Sequence, residues 1–491
     1  MPDKLKILFQ YRLLALSGAT ALMLLGTDRA SAAPLDALHG DPIAPVILGV
    51  TGILFFAIIG RFAARRLGQP SVLGELIMGV VLGNLAYYFS LDLILVLREG
   101  PAIFELEKMA LAGTRLDLAA FVTLSGDTAA QVLWVLQGPD GGQILQVAQT
   151  VDVFSRYGVI FMLFLVGLDT SVVEMRKVGR DSAMVAVTGV IAPFILGFAA
   201  ARVLMPQLSP NTDLFIAATL GATSVGITAR VLRDLHKEHS REAHIILGAA
   251  VIDDMLGLLM LAIVSGIIVS GGVDVINVVN IVVLAVLFVA GVLFLGPYLL
   301  RLAIRLLCHL DLVEAKMFTS YLFVMVLAWL ANLVGLATII GAFAAGLILN
   351  DSFFKYCGIS KEEERSISIK SLIMPLEVIL VPIFFVLMGI QVKLETFMDT
   401  RVLVMAGGLL LAAILGKLVC GYAARKGINR LSVGLGMMPR GEVGLIFVAI
   451  GKSLGVINDA LFSAIVLMVI VTTLISPPLL KLALGRTGET A

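Results

Sequence analysis

Apolar residues in this chain fall in long unbroken runs, not in the alternating or one-sided patterns of half-buried strands and surface helices. Runs long enough, or nearly so, to cross the roughly 30 Å hydrocarbon layer of a bilayer recur at 44–60, 72–94, 157–174, 183–204, 213–229, 244–270, 275–300, 317–334, 336–349, 371–390, 402–424, 433–451 and 460–480. They predict an all-α polytopic membrane protein of about 13 transmembrane helices. The eighth and ninth runs share one apolar stretch, broken around Asn332 and Gly335. Charge placement must decide whether it is one helix or two.

Ahead of these runs, Lys4, Lys6 and Arg12 flank a short apolar segment at 13–25, followed by Ala30-Ser31-Ala32. That is a secretory signal pattern, too short for a membrane span. Residues 1–32 are therefore predicted to be a signal peptide cleaved before Ala33, with an uncleaved extra helix as the alternative. The expected organisation continues with an exoplasmic N-terminus at 33–43, a membrane domain at 44–482 and a cytoplasmic tail at 483–491. Within it, 95–156 reads as an exoplasmic insertion of mixed polarity with partial helical patterns at 103–111 and 129–136, either a small cap or a re-entrant element. The chain ends about ten residues after the last run, so no appended cytoplasmic domain is expected.

Composition excludes a soluble multidomain protein: 59% of the 491 residues are hydrophobic and 14% charged, and the mean hydropathy is +1.02. The near balance of 36 basic and 35 acidic residues argues against nucleic-acid binding or a polybasic membrane-surface protein. Sorted by position, the bases become informative. Numbering connections alternately from an outside N-terminus puts 22 Lys and Arg inside and eight outside, as the positive-inside rule requires. The alternation works only if 317–349 is two helices, and it places the N-terminus outside and the C-terminus inside. Cys308, Cys357 and Cys420 lack CxxC spacing and read as isolated thiols.

Ionisable groups inside spans are expensive and point to function. They are Glu75, Asp253, Asp254, Glu377, Lys417, Arg440 and Glu442. Glu75 lies one turn inside its helix, where a structural or snorkelling role suffices. Glu377, between Pro375 and Pro382, reads as a partner for backbone groups freed by kinks. Asp253 and Asp254 lie roughly 14 Å deep at 1.5 Å per residue. As neighbours they point about 100° apart, so one can face a water-filled path and the other an adjacent helix. Lys417 can reach a similar depth. A buried pair would serve structure alone, whereas a third carboxylate is costly and reads as functional.

Two spans also carry helix breakers in mid-membrane: Gly221-Ala222-Thr223-Ser224-Val225-Gly226, and Met438-Pro439-Arg440-Gly441-Glu442-Val443-Gly444. Interruptions at matched positions of two halves mark transporter binding sites. Here the runs 183–270 and 402–480 would form inverted repeats, each with an interrupted crossing helix in the middle. Arg440 is expected to meet the negative end of its own first half-helix and Glu442 the positive end of the second. That leaves the first crossing helix's carbonyls, with Thr223 or Ser224 oxygens, available to a small cation.

The motifs QPSVLGELIMGVVLG at 69–83, FLVGLDTS at 164–171, AAVIDDMLGL at 249–258, GKLVCG at 416–421 and MPRGEVGLI at 438–446 together resemble the bacterial monovalent cation:proton antiporters, in the Kef/NapA-like branch of sodium/proton exchangers. The resemblance spans about 44–482 and leaves the signal peptide and the 95–156 insertion unexplained. It implies an NhaA/NapA-like antiporter fold in a homodimer, with core helices drawn in part from 157–270 and 371–482. It also implies Asp254 as the alternating proton and Na+ ligand, Asp253 as partner of Lys417, Thr223 and Ser224 near the ion, and Arg440 with Glu442 compensating charge in the crossing helix. An Asp-Asp pair with lysine implies electrogenic exchange of two protons per sodium, in the service of pH homeostasis and sodium transport. The expected activity is secondary transport, with no enzyme chemistry, no cofactor and no nucleic-acid partner. The alternatives are a K+/H+ antiporter and a non-transporting ion or pH sensor on the same scaffold.

Overall fold

The computed structural model describes residues 41, 43–111, 120, 124, 126–169, 179–224, 228, 229, 231, 232, 237, 240–269, 275–307, 311–356 and 368–485. The predicted signal peptide, most of the exoplasmic N-terminus, and Thr170 and Ser171 of the FLVGLDTS motif lie outside them. The described residues form seventeen α-helices and two short 3₁₀ turns. They are α1 (Ala44–Arg66), α2 (Ser71–Tyr88), α3 (Asp92–Glu99), α4 (Pro101–Leu111), α5 (Gly126–Leu136), α6 (Gly141–Asp169), α7 (Arg180–Leu204), α8 (Pro210–Gly221), α9 (Arg241–Val269), α10 (Val275–Leu307), α11 (Leu312–Leu333), α12 (Thr338–Ile348), α13 (Ile369–Ile390), α14 (Thr400–Gly421), α15 (Arg430–Gly436), α16 (Glu442–Ser453) and α17 (Asp459–Gly485).

Ten helices among the described residues are long and apolar enough to cross a membrane. The other three predicted runs are shorter or broken. The 336–349 run is the eleven-residue α12, separated from α11 by a turn at Gly335, whose φ of +79° suits glycine. The runs at 213–229 and 433–451 are interrupted. Two boundaries differ from expectation. The 95–156 segment contains α3, α4 and α5, and its last sixteen residues belong to α6, which starts at Gly141. A polar face carrying Gln146, Gln149 and the Asp152–Arg156 pair (2.6 Å) hides this start in a hydropathy pattern, while Ile144, Val147 and Val151 are buried. At the other end α17 continues to Gly485, so helix occupies the first residues assigned to the tail.

The helices pack in two groups. In one, α1, α2, α6, α11, α12 and α13 pack together; in the other, α7, α8, α9, α14, α15, α16 and α17 do so, with α10 linking α9 to α11 and α12. Small residues set the closeness of the first group. A Cβ on Gly79 would strike the Val386 carbonyl and lie 2.9 Å from the Gly389 Cα, and one on Gly83 would lie 2.5 Å from the Ile390 carbonyl. Gly79 and Gly83 of the 69–83 motif therefore form the contact face of α2 against α13, while Gly74 of the same motif packs on Gly60 of α1. Because the obstacle is backbone, it cannot move aside cheaply. Gly79→Ala is expected to cost about 1–3 kcal/mol of overpacking, read as a lower thermal midpoint in detergent, whereas Gly142→Ala, with open space around it, leaves the midpoint unchanged or higher.

Candidate functional site

The second group is built around its two interruptions. Helix α8 starts on a Ser209 cap, whose hydroxyl accepts from the Thr212 N–H at 3.2 Å, and stops at Gly221 with Ala222 extended (φ −62°, ψ 143°). Helix α15 starts on an Asn429 cap (3.0 Å to the Ser432 N–H) and ends at Gly436. Pro439 prevents its continuation, since proline disfavours helical geometry in the preceding residue. The two breaks meet: the Ser224 N–H donates to the Pro439 carbonyl at 2.9 Å.

Each first half-helix then has its C-terminal carbonyl satisfied by the opposite segment. Arg440 Nη1 donates to the Ala222 carbonyl at the end of α8, and Thr228 Oγ1 donates to the Gly436 carbonyl at the end of α15, 2.6 Å away. This corrects the expected charge compensation. Arg440 serves the negative end of the other interrupted helix, not its own, so the Ala222 carbonyl is already engaged. Nor does Arg440 lie in a helix: it sits between α15 and α16, 1% exposed, and its own carbonyl accepts from Thr473 Oγ1 of α17. Glu442 opens α16, and its side chain lies outside the described residues.

Beside the crossing, Lys417 of α14 donates to Asp253 Oδ1 of α9 at 2.9 Å, with both side chains 0% exposed. Gly189 of α7 faces the pair. A Cβ there would lie 3.5 Å from Lys417 Nζ and 3.6 Å from Asp253 Oδ1, so only a small residue leaves room for it. Arg440 is near enough to interact electrostatically with both charges. Asp253 Oδ2, and Nε and Nη2 of Arg440, have no hydrogen-bond partner among the described residues. Asp254, the next residue on α9, is only half-buried. Thr223 and Ser224 are buried, and Thr223 Oγ1 lacks a hydrogen-bond partner among the described residues.

A cavity of about 260 Å³ separates the two groups at the crossing. Ser224, Gly441 and Thr473 line it from one side, and Leu76, Glu377 and Phe385 from the other. Neither aspartate lines it. At the far ends of α2 and α13 the groups are joined by charge. Lys393 bridges Glu99 of α3 and Asp459 of α17, each at 2.7 Å, and Lys452 in the last turn of α16 reaches Asp459 at 3.0 Å. Arg98, 1% exposed, contacts Glu395 at 2.5 Å and Asn84 Oδ1 at 2.8 Å. Three of the eight bases assigned to the outside thus sit in one network, and the 95–156 insertion supplies part of it through Arg98 and Glu99.

The family model for the transmembrane sodium/hydrogen exchanger matches residues 52–484. The chain belongs to the sodium/hydrogen exchanger family. This family comprises secondary transporters, not enzymes, and its ions are substrates and not cofactors. Among curated relatives, the chain is 34% identical to the high-affinity Na+/H+ antiporter NhaS3 of Synechocystis sp., over 89% of this chain and 90% of the relative. It is 31% identical to the Na+/H+-K+ antiporter GerN of Bacillus cereus, over 86% of this chain and 92% of that one. Its fold is similar to that of the sodium proton antiporter MjNhaP1 of Methanocaldococcus jannaschii at pH 8, with a TM-score of 0.55 at 16% identity, covering 89% of this chain and 96% of the other.

Several residues at this crossing escape sequence reasoning. Thr228 and Thr473 look like ordinary hydroxyls in apolar runs, and Gly189 like one glycine among 48. Glu377 reads as a kink partner, and nothing in its run indicates a cavity. The one signal available was periodic: Gly189 and Pro193 lie one turn apart on α7, and Pro193 is the residue that Gly416 packs against.

Proposed function

We propose that the chain exchanges sodium for protons by alternating access, with Asp254 as the ligand the two cations occupy in turn. The observation that carries this reading is the meeting of the two helix breaks at Ser224 and Pro439 (2.9 Å) beside the buried Asp253–Lys417 pair. A carboxylate binds a proton by giving up the negative charge that sodium needs. One site therefore binds either cation but never both. Thr223 and Ser224 supply neutral oxygens near the ion, Asp253 and Lys417 fix the neighbouring helices, and Arg440 keeps the end of α8 neutral.

The second helix group is the moving core in this reading and the first is the scaffold and dimerisation domain. The resemblance supports a homodimer. The distribution of basic residues supports a bacterial cytoplasmic membrane with the N-terminus outside and the C-terminus inside, and the Asp-Asp pair with lysine supports electrogenic exchange. The relatives' printed activities support sodium as the principal cation, while that of the Bacillus relative includes potassium. In proteoliposomes with an imposed pH gradient, sodium is expected to dissipate the gradient more effectively than potassium, and clamping the membrane potential is expected to change the rate. Preference for potassium would establish the K+/H+ alternative. Absence of flux with any of Na+, Li+ and K+, despite ion binding, would instead support a sensor.

A further inference from the structure

Another cavity, of about 390 Å³, opens where the first turns of α7 and α9 meet the connection between α14 and α15. Arg241, His244, Arg425 and Lys426 line it, with Asp181 as the one acid among its described lining residues. Ion exchange at the helix crossing gives it no role. All of these elements belong to the second helix group, and the distribution of basic residues puts this end of them on the cytoplasmic side. Bases at that membrane face are expected for topology alone, but topology does not require them to converge.

Here bases from two connections far apart in the chain face one hollow. Three bases against one acid, with His244 neutral, leave a formal excess of two positive charges. The acid is already engaged, since Asp181 Oδ1 lies 3.1 Å from Arg425 Nε and holds that guanidinium at the exposed rim. Glu242, beside Arg241, accepts instead from the Asn429 N–H at 3.2 Å. His244 Nδ1 donates to the Ser240 carbonyl at 2.8 Å, which fixes the ring. Among the described residues Arg241 and Lys426 have no ion pair. Such a hollow suits a phosphate group, whose oxygens take paired N–H donors from arginine and a point charge from lysine. The helix faces beside it suit a lipid. On α7, Met184, Ile191 and Ile195 continue the face of Asp181 and are exposed; on α14, Leu411, Leu415 and Val419 form an exposed stripe running toward Arg425. The two helices pack against each other, so both stripes present apolar surface to the bilayer next to the cationic hollow.

We propose that this hollow binds the phosphate-bearing headgroup of an anionic phospholipid of the cytoplasmic leaflet, with the acyl chains against the exposed faces of α7 and α14. Basic pockets between helices at the cytoplasmic face hold such headgroups. A lipid seated here ties together the ends of the three helices that carry Gly189, Asp253 and Lys417.

Phosphatidylglycerol titrated at low mole fraction into the detergent-solubilised protein is expected to raise the thermal midpoint, whereas phosphatidylcholine and inorganic phosphate at the same concentration are not. The apparent affinity for phosphatidylglycerol should fall about fivefold in Arg241→Gln and about thirtyfold in Arg425→Gln combined with Lys426→Gln, the worth of one and two charges at a membrane surface. All three side chains are exposed, so the lipid-free midpoints should match that of the unaltered chain. Arg305→Gln, which removes an exposed base at the end of α10 outside the hollow, should leave the affinity nearly unchanged. Equal losses in Arg305→Gln and the double variant would reveal diffuse attraction and overturn the proposal. So would a midpoint that phosphatidylglycerol does not move, or moves no more than phosphatidylcholine does. A rise with inorganic phosphate equal to that with phosphatidylglycerol would make this a site for a free anion and refute the lipid. The readout is binding, so a chain that moves neither sodium nor potassium would sink the exchange reading and leave this result standing.

Discussion

Asp254→Asn is expected to reduce sodium-dependent dissipation of an imposed pH gradient to the level of protein-free liposomes. The substitution preserves size and shape but removes both properties the mechanism needs, a negative oxygen for sodium and a group that binds and releases a proton. Asp253 cannot take over the role. Its Oδ1 is held by Lys417 at 2.9 Å in a fully buried pair, so its charge is already balanced by a lysine. Because Asp254 is only half-buried, its neutralisation should leave the thermal midpoint in detergent close to wild type. The same competition fixes the direction of pH dependence in the unaltered chain. Protons and sodium exclude each other from one carboxylate, so the apparent sodium affinity rises with pH, by up to about tenfold per unit where the protonated form predominates. Near-normal exchange by the Asn variant, or a sodium affinity independent of pH, would refute Asp254 as the shared ligand.

How far the sequence alone leads depends on what kind of physics each element uses. Spans defined by bulk hydropathy, such as α1, α7 and α14, are legible because lipid demands uninterrupted apolar length. The interruptions of α8 and of α15–α16 are legible because Gly, Pro, Ser and Thr clustered in mid-span have few other uses. The early start of α6 is not: its first turns are amphipathic and buried against other protein, so no hydropathy window detects them. The reach of Arg440 is likewise hidden. Helix-end electrostatics predicts that it will find a negative helix terminus, but only the crossing geometry decides that the terminus belongs to α8. The network of Arg98, Glu99, Lys393, Lys452 and Asp459 draws on three helices and a loop far apart in the chain, and sorting bases by membrane side records their location without their pairing. Glu377 shows the same limit, since a carboxylate between two prolines looks structural until a cavity is seen beside it.

The Asp253–Lys417 pair carries the largest expected effect on stability, and its two halves should differ. Breaking a fully buried ion pair by removing one partner costs about 3–5 kcal/mol, because a charge is left in low dielectric without compensation. Here the surroundings are not symmetric. Arg440 lies close enough to interact with both members, and its Nε and Nη2 lack partners among the described residues, as does Asp253 Oδ2. After Lys417→Met, Asp253 still has a cation within reach, and a modest shift of the guanidinium can pair them. After Asp253→Leu, Lys417 and Arg440 are left as two buried cations with mutual repulsion and without the Asp253 carboxylate. Asp253→Leu is therefore expected at or above the upper end of that range and Lys417→Met at or below the lower end, measured as the fall in thermal midpoint of the detergent-solubilised protein. The double variant should recover most of the loss, since replacing both members by apolar groups is often neutral or stabilising by about 1–4 kcal/mol. Equal losses in the two single variants would show that Arg440 does not serve as a second partner, and no recovery in the double variant would show that the two residues act separately.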